Sequence, residues 1–210
     1  MTLLTAGVLL FAGHPGATAD VTPDAIVATV DPVSADADIL ILGAAAEDHL
    51  SGNGAPNGTD LSRARAIATG DFNNDGAADI IIGAPDADVV IAQPAETRTD
   101  AGTVYIIFGR TTPFTSPIDT SVVGQTSIRI LGREAGDRLG FAVAAGDVNG
   151  DDIDDIIIGA PGADFNDTTR VNTGAVFVIH GAANIATSTV DLNAANAPAV
   201  VVHGVATGDL

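Results

Sequence analysis

The apolar residues of this chain fall in short, dense runs separated by polar, glycine-rich stretches. DIIIG (155–159), AVFVIH (175–180) and AVVVH (199–203) are continuous apolar segments flanked by turn residues, and GFAVAAG (140–146) precedes them. Runs this short cannot carry a helical face, and no stretch of useful length repeats with the helical period of about 3.6 residues. β-Branched side chains dominate the runs, which suits a pleated and buried surface. A continuous apolar run, unlike an alternating one, predicts a strand covered on both faces. The pattern therefore predicts an all-β chain whose basic unit is four short strands.

That unit recurs. GDFNNDGAADIIIGAP (70–85) and GDVNGDDIDDIIIGAP (146–161) share 11 of 16 positions at an offset of 76. AGTVYIIFG (101–109) matches TGAVFVIHG (173–181), and IDTSVVGQTSIRILG (118–132) matches VDLNAANAPAVVVHG (190–204), both at an offset of 72. VDPVSADADILILG (30–43) is a third copy of the last piece. The offsets change between these segments, where loop insertions are tolerated. Four strands in each repeat of this length predict the blades of a β-propeller. The chain would hold two complete blades and pieces of two others. A ring closes with at least four blades, so a fragment of a ring is expected, truncated at least at its C-terminal end. Residues 1–37 admit two readings. One is a signal peptide, with an apolar stretch to Ala12 and an A-x-A at 17–19 but no basic residue before it. The other is the end of a preceding blade, with AGVLLFAG (6–13) as its third strand and 30–43 carrying its fourth.

Composition narrows the function. Hydrophobic residues make up 46% and charged residues 17% of the 210, the balance of a globular chain with a core. Net charge is −19, and all eight basic residues are Arg. A nucleic-acid partner needs a basic face, so that class is excluded. Cysteine is absent, which removes disulfides and thiolate metal sites. No apolar run is long enough for a membrane helix.

The acidity is concentrated in the repeated loop. Its pattern is Asp71-x-Asn73-x-Asp75-Gly76-Ala77-x-Asp79, and again Asp147-x-Asn149-x-Asp151-Asp152-Ile153-x-Asp155. Calcium is a hard cation that takes six to eight oxygens at about 2.3–2.6 Å. Side-chain oxygens at positions 1, 3 and 5, a main-chain carbonyl at position 7 (Ala77, Ile153) and a carboxylate at position 9 supply such a set. Gly76 permits a sharp turn with positive φ, and Asp152 tolerates one. An EF-hand is excluded, because position 12 is Ile82 or Ile158 within a strand, and flanking helices are missing. Zinc would want His or Cys, and magnesium rarely uses a dedicated protein cage. Asp, Asn and Gly also make good turns without metal. Retention of all four side-chain donors in both loops weighs for two calcium sites.

DFNNDGAADIIIGAP and DVNGDDIDDIIIGAP resemble the FG-GAP repeats of integrin α-subunit propellers, with LGFAVAAGD (139–147) carrying the step before the second loop and GAP recurring at 83–85 and 159–161. The resemblance implies seven blades in a complete ring and calcium in the hairpin loops between first and second strands. On it, residues 38–132 form one blade with the first calcium loop, 133–204 a second blade with the second loop, and 205–210 the start of another. The first blade departs from the pattern: DHLSG (48–52) aligns with DRLGF (137–141), and an insertion beginning GNGAPNG follows it. Nothing here matches the adhesive ligand surface of the family.

The expected function is binding and adhesion to a protein or glycan by a secreted or cell-surface protein, with no catalysis by this segment. FG-GAP-like propellers also accompany catalytic domains, as in glycosylphosphatidylinositol-specific phospholipase D, and the alternative is the non-catalytic propeller part of such an enzyme. Other candidates carry less. GNGAPNG (52–58) reads as a loop, His180 and His203 as strand-end residues, and His14 and His49 as isolated loop residues. Asn57 and Asn166 fit the glycosylation pattern. Asp154 and Asp155, as strand neighbours, point to opposite faces and make a poor acid–base pair.

Overall fold

In a computed structural model, the structure describes residues 25–27, 40–45, 48–50, 66–92, 95–112, 118–122, 126–164, 172–185, 187–195 and 197–205. The signal-peptide reading, the proposed strand at 6–13, the GNGAPNG loop, Asn57 and Asn166 lie outside them.

Both predicted four-stranded units form. In the first, β3 (Ile67–Gly70), β4 (Asp79–Ala84), β7 (Thr103–Ile107) and β9 (Ile128–Leu131) make an antiparallel meander. In the second, β10 (Ala142–Gly146), β11 (Asp155–Ala160), β12 (Ala175–Ile179) and β14 (Val200–His203) repeat it. A preceding sheet contains β1 (Ala25–Val27) antiparallel to β2 (Leu40–Leu42), which lies within the segment expected to carry a fourth strand. The described sheets do not close a ring.

The continuous apolar runs are explained by burial on two sides. In the first unit Ile81, Val104, Ile106 and Ile130 face a core shared with Leu139, Ile156, Ile158 and Phe177 of the second. Their strand neighbours Ile82, Tyr105 and Ile107 point the other way, against Ile41, Leu50 and Ile118. Alternation along each strand thus feeds two cores at once.

Two features go beyond the predicted four strands. A hairpin of β5 (Val89–Ile91) and β6 (Glu96–Arg98) interrupts the connection between second and third strands of the first unit. In addition, the connection from third to fourth strand reaches back to the preceding sheet. β8 (Ile118–Asp119) pairs parallel with β2, and β13 (Thr189–Asp191) pairs parallel with β9. Each latch covers an otherwise open strand edge. Arg98 fastens the second one: its guanidinium donates to both Asp191 oxygens at 2.7 and 3.0 Å and to the Gly132 carbonyl at 2.9 Å.

The units meet main chain to main chain. A Cβ on Gly83 would lie 2.0 Å from the Gly140 carbonyl oxygen, and Gly140 itself has φ of +86°. These are the glycines of the first GAP and of the LGF step. Any side chain at Gly83 would wedge the sheets apart.

Candidate metal centre

Each acidic loop is the turn of a hairpin between first and second strands. Gly70 pairs with Asp79 across the first, and Gly146 with Asp155 across the second. Within each loop positions 4 and 6 have positive φ: Asn74 (56°) and Gly76 (83°), then Gly150 (82°) and Asp152 (66°). The sequence reading anticipated position 6 and missed position 4.

The carboxylates organise the loop by accepting its N–H groups. Asp71 Oδ1 accepts from Asp75 N–H at 3.1 Å and Oδ2 from Gly76 N–H at 2.9 Å. Asn73 Oδ1 also accepts from Asp75 N–H, and Asp75 Oδ1 from Ala77 N–H. The second loop repeats this: Asp147 accepts from Asp151 and Asp152 N–H, Asn149 from Asp151 N–H, and Asp151 from Ile153 N–H. Three side-chain donors of each predicted set are therefore gathered in one turn. N–H groups of Asp152, Gly150 and Asp151 hold the Asp147 carboxyl below its ordinary range.

Asp79 and Asp155 stand apart from the others, since both are 0% exposed. Asp79 accepts from Phe72 N–H at 2.9 Å and Gly109 N–H at 2.8 Å; Asp155 accepts from Val148 N–H at 3.0 Å and Gly181 N–H at 2.9 Å. Burial pushes the Asp79 carboxyl up, and the nearby Asp75 and Asp71 charges push the same way against the pull of its two N–H donors. Position 9 is thus an anchor of the hairpin. The remaining predicted donors, the carbonyls of Ala77 and Ile153, lie on half-buried residues in the same turns. Among the described residues no three carboxylate or imidazole groups form a preformed cage. The three carboxylates of each predicted set are therefore not drawn together into a cage.

The structure adds residues that sequence reasoning left aside. His180 follows β12, and its Nδ1 lies 3.2 Å from Asn149 Nδ2 and 3.3 Å from Asp155 Oδ1; the matching residue in the first unit is Phe108. Asp154 lies just before β11, and its Oδ2 accepts the Asp71 N–H at 2.9 Å. A cavity of about 470 Å³ lies between the units, but its lining is aliphatic (Ile128, Ile130, Ile156, Ile179) apart from His180.

A family comparison decides what the doubled hairpin is. The FG-GAP repeat matches residues 64–107 and 139–179, which contain both acidic loops and their flanking strands. The chain carries two FG-GAP repeats. FG-GAP repeats imply a β-propeller, and the two antiparallel sheets are its blades. The chain is similar to integrin alpha pat-2 of Caenorhabditis elegans, 37% identical over 123 residues, which is 55% of this chain and 9% of that protein. It is also similar to phosphatidylinositol-glycan-specific phospholipase D of Rattus norvegicus, 32% identical over 115 residues, 55% of this chain and 13% of that protein. Integrin alpha-PS2 of Drosophila melanogaster is 27% identical over 96 residues, 46% of this chain and 5% of that protein. The matched segment thus spans only between 5 and 13% of the length of these relatives.

Proposed function

We propose that this FG-GAP chain is a calcium-stabilised propeller segment of a secreted or cell-surface protein, with a binding and adhesive role toward a protein or glycan. The observation that carries the calcium reading is the repeated turn. In both blades the side-chain oxygens of positions 1, 3 and 5 accept N–H groups of the same turn, and the position-9 carboxylate that ends the loop is buried. An oxygen-only set fits a hard divalent cation. Asp71, Asn73, Asp75, the Ala77 carbonyl and Asp79 would hold one ion. Asp147, Asn149, Asp151, the Ile153 carbonyl and Asp155 would hold the other. A bound cation would neutralise carboxylates that otherwise repel and lock the hairpin within each blade. Similarity to integrin α subunits supports the adhesive role.

Thermal unfolding of the chain with calcium, magnesium and a chelator tests the cation. A site at ten times its dissociation constant adds about 1.4 kcal/mol, so the melting point rises with calcium and saturates. Equal melting points in all three conditions would remove calcium from the reading. A second reading, the non-catalytic propeller part of a hydrolase, is favoured by the similarity to phosphatidylinositol-glycan-specific phospholipase D. Binding to immobilised glycans and matrix proteins favours adhesion. A catalytic domain encoded beside this segment favours the enzyme.

A further inference from the structure

We propose that Asp154 is a positioning residue that couples the two cation loops, so that an ion in one raises the affinity of the other. This rests on the calcium reading above.

The loops are stitched together at two points. At the first, Asp154 grips the main chain of Asp71 from both sides. Its carboxylate accepts the Asp71 N–H at 2.9 Å, and its own N–H donates to the Asp71 carbonyl at 3.3 Å. Asp71 is position 1 of the first loop. Asp154 sits between Ile153 and Asp155, positions 7 and 9 of the second. At the other point, Phe72 joins the two closing carboxylates. Its N–H donates to Asp79, and its carbonyl accepts the Ala182 N–H at 3.1 Å; the adjacent Gly181 N–H donates to Asp155. Phe72 is fully buried, and a Cβ on Gly181 would lie 2.2 Å from the Asp154 carbonyl oxygen.

A cation that fixes the Asp71 carboxylate also fixes the Asp71 peptide, and with it Asp154 and the two donors beside it. The ordering cost of the second site is then partly met by the first, which gives positive cooperativity. Repulsion between two bound cations opposes this, but water and salt around exposed loops weaken it. Ala78 occupies the place of Asp154 in the first loop and has no carboxylate to make such a grip.

Calorimetric titration of the full chain with calcium tests the coupling, using wild type, Asp154→Ala and Asp154→Asn, with circular dichroism as the check on folding. Wild type takes up two ions with a Hill coefficient above about 1. Asp154→Ala still binds two, but the coefficient falls to about 1 or lower and apparent affinity drops about five-fold. Asp154→Asn, whose amide oxygen accepts the Asp71 N–H, keeps the cooperativity. Cooperativity undiminished in a folded Asp154→Ala would overturn the proposal. Independent sites in wild type would overturn it whatever the variants do. Absence of any calcium binding would bring down the calcium reading, and this inference with it.

Discussion

At the residue scale, identical letters in the loop do different jobs. Asp75 is exposed and folds only its own turn, whereas Asp79 is buried and satisfies two main-chain donors from separate segments. Asp79→Ala therefore leaves the buried Phe72 N–H and the part-buried Gly109 N–H unpaired, at a cost of about 2 kcal/mol even without calcium. Asp75→Ala leaves the calcium-free melting point nearly unchanged and removes part of the calcium-induced rise. Melts of both variants with and without calcium separate the two roles. Asp137 is a further case. Burial pushes its carboxyl up from 3.8 to about 6, although it accepts the Glu134 N–H. A carboxyl raised in the folded state favours folding while protonated. Its contribution is complete below about pH 4 and is lost as pH rises through about 6. Asp137→Asn keeps the acceptor and drops the charge, so its melting point gains on wild type between pH 4 and 7. A constant difference across that range would show that Asp137 does not titrate there.

At the element scale, stability rests on how strands of one repeat unit are tied to the next. The parallel latch of β13 on β9 is held by Arg98, 5% exposed and bonded to Asp191 and Gly132. Arg98→Ala leaves the Gly132 carbonyl and the Asp191 carboxylate without that partner and costs about 2 kcal/mol, read from denaturant unfolding. Gly83→Ala places a methyl within the van der Waals radius of the Gly140 carbonyl. The sheets must separate to admit it, so a loss of more than about 3 kcal/mol is expected. The GAP and LGF motifs are legible as letters. Their physical reason, two main chains in direct contact, exists only after both sheets have formed.

At the scale of the whole molecule, the apolar faces that blades bury between them are unequally covered. The first blade is packed on both sides, by the second blade and by residues of the preceding sheet. On the second blade Val176, Val200 and Val202 share a face through the β12–β14 register and are 38, 53 and 59% exposed. Three aligned valines on a sheet face favour association. Sedimentation of the chain is expected to show concentration-dependent self-association, and Val200→Thr with Val202→Thr is expected to reduce it while the melting point changes little.

The local pattern alone determined the strands, the four-strand unit, its repetition and the position of both acidic turns. These depend on side-chain periodicity and on turn residues that act within a few positions of one another. That is why β4, β7, β11, β12 and β14 fall where the apolar runs predict them. The tertiary structure alone decided the rest. β8 and β13 read as parts of a fourth-strand segment because two or three residues carry no period, and only the edge they cover makes them strands. Asp154 reads as a strand neighbour of Asp155 on the opposite face until the fold brings Asp71, 83 positions away, against it. Asp137 and Arg98 look like ordinary surface charges until the packing of blade on blade withdraws them from water. Contacts between residues far apart in the chain leave no local signature, and it is those contacts that tie the two turns together.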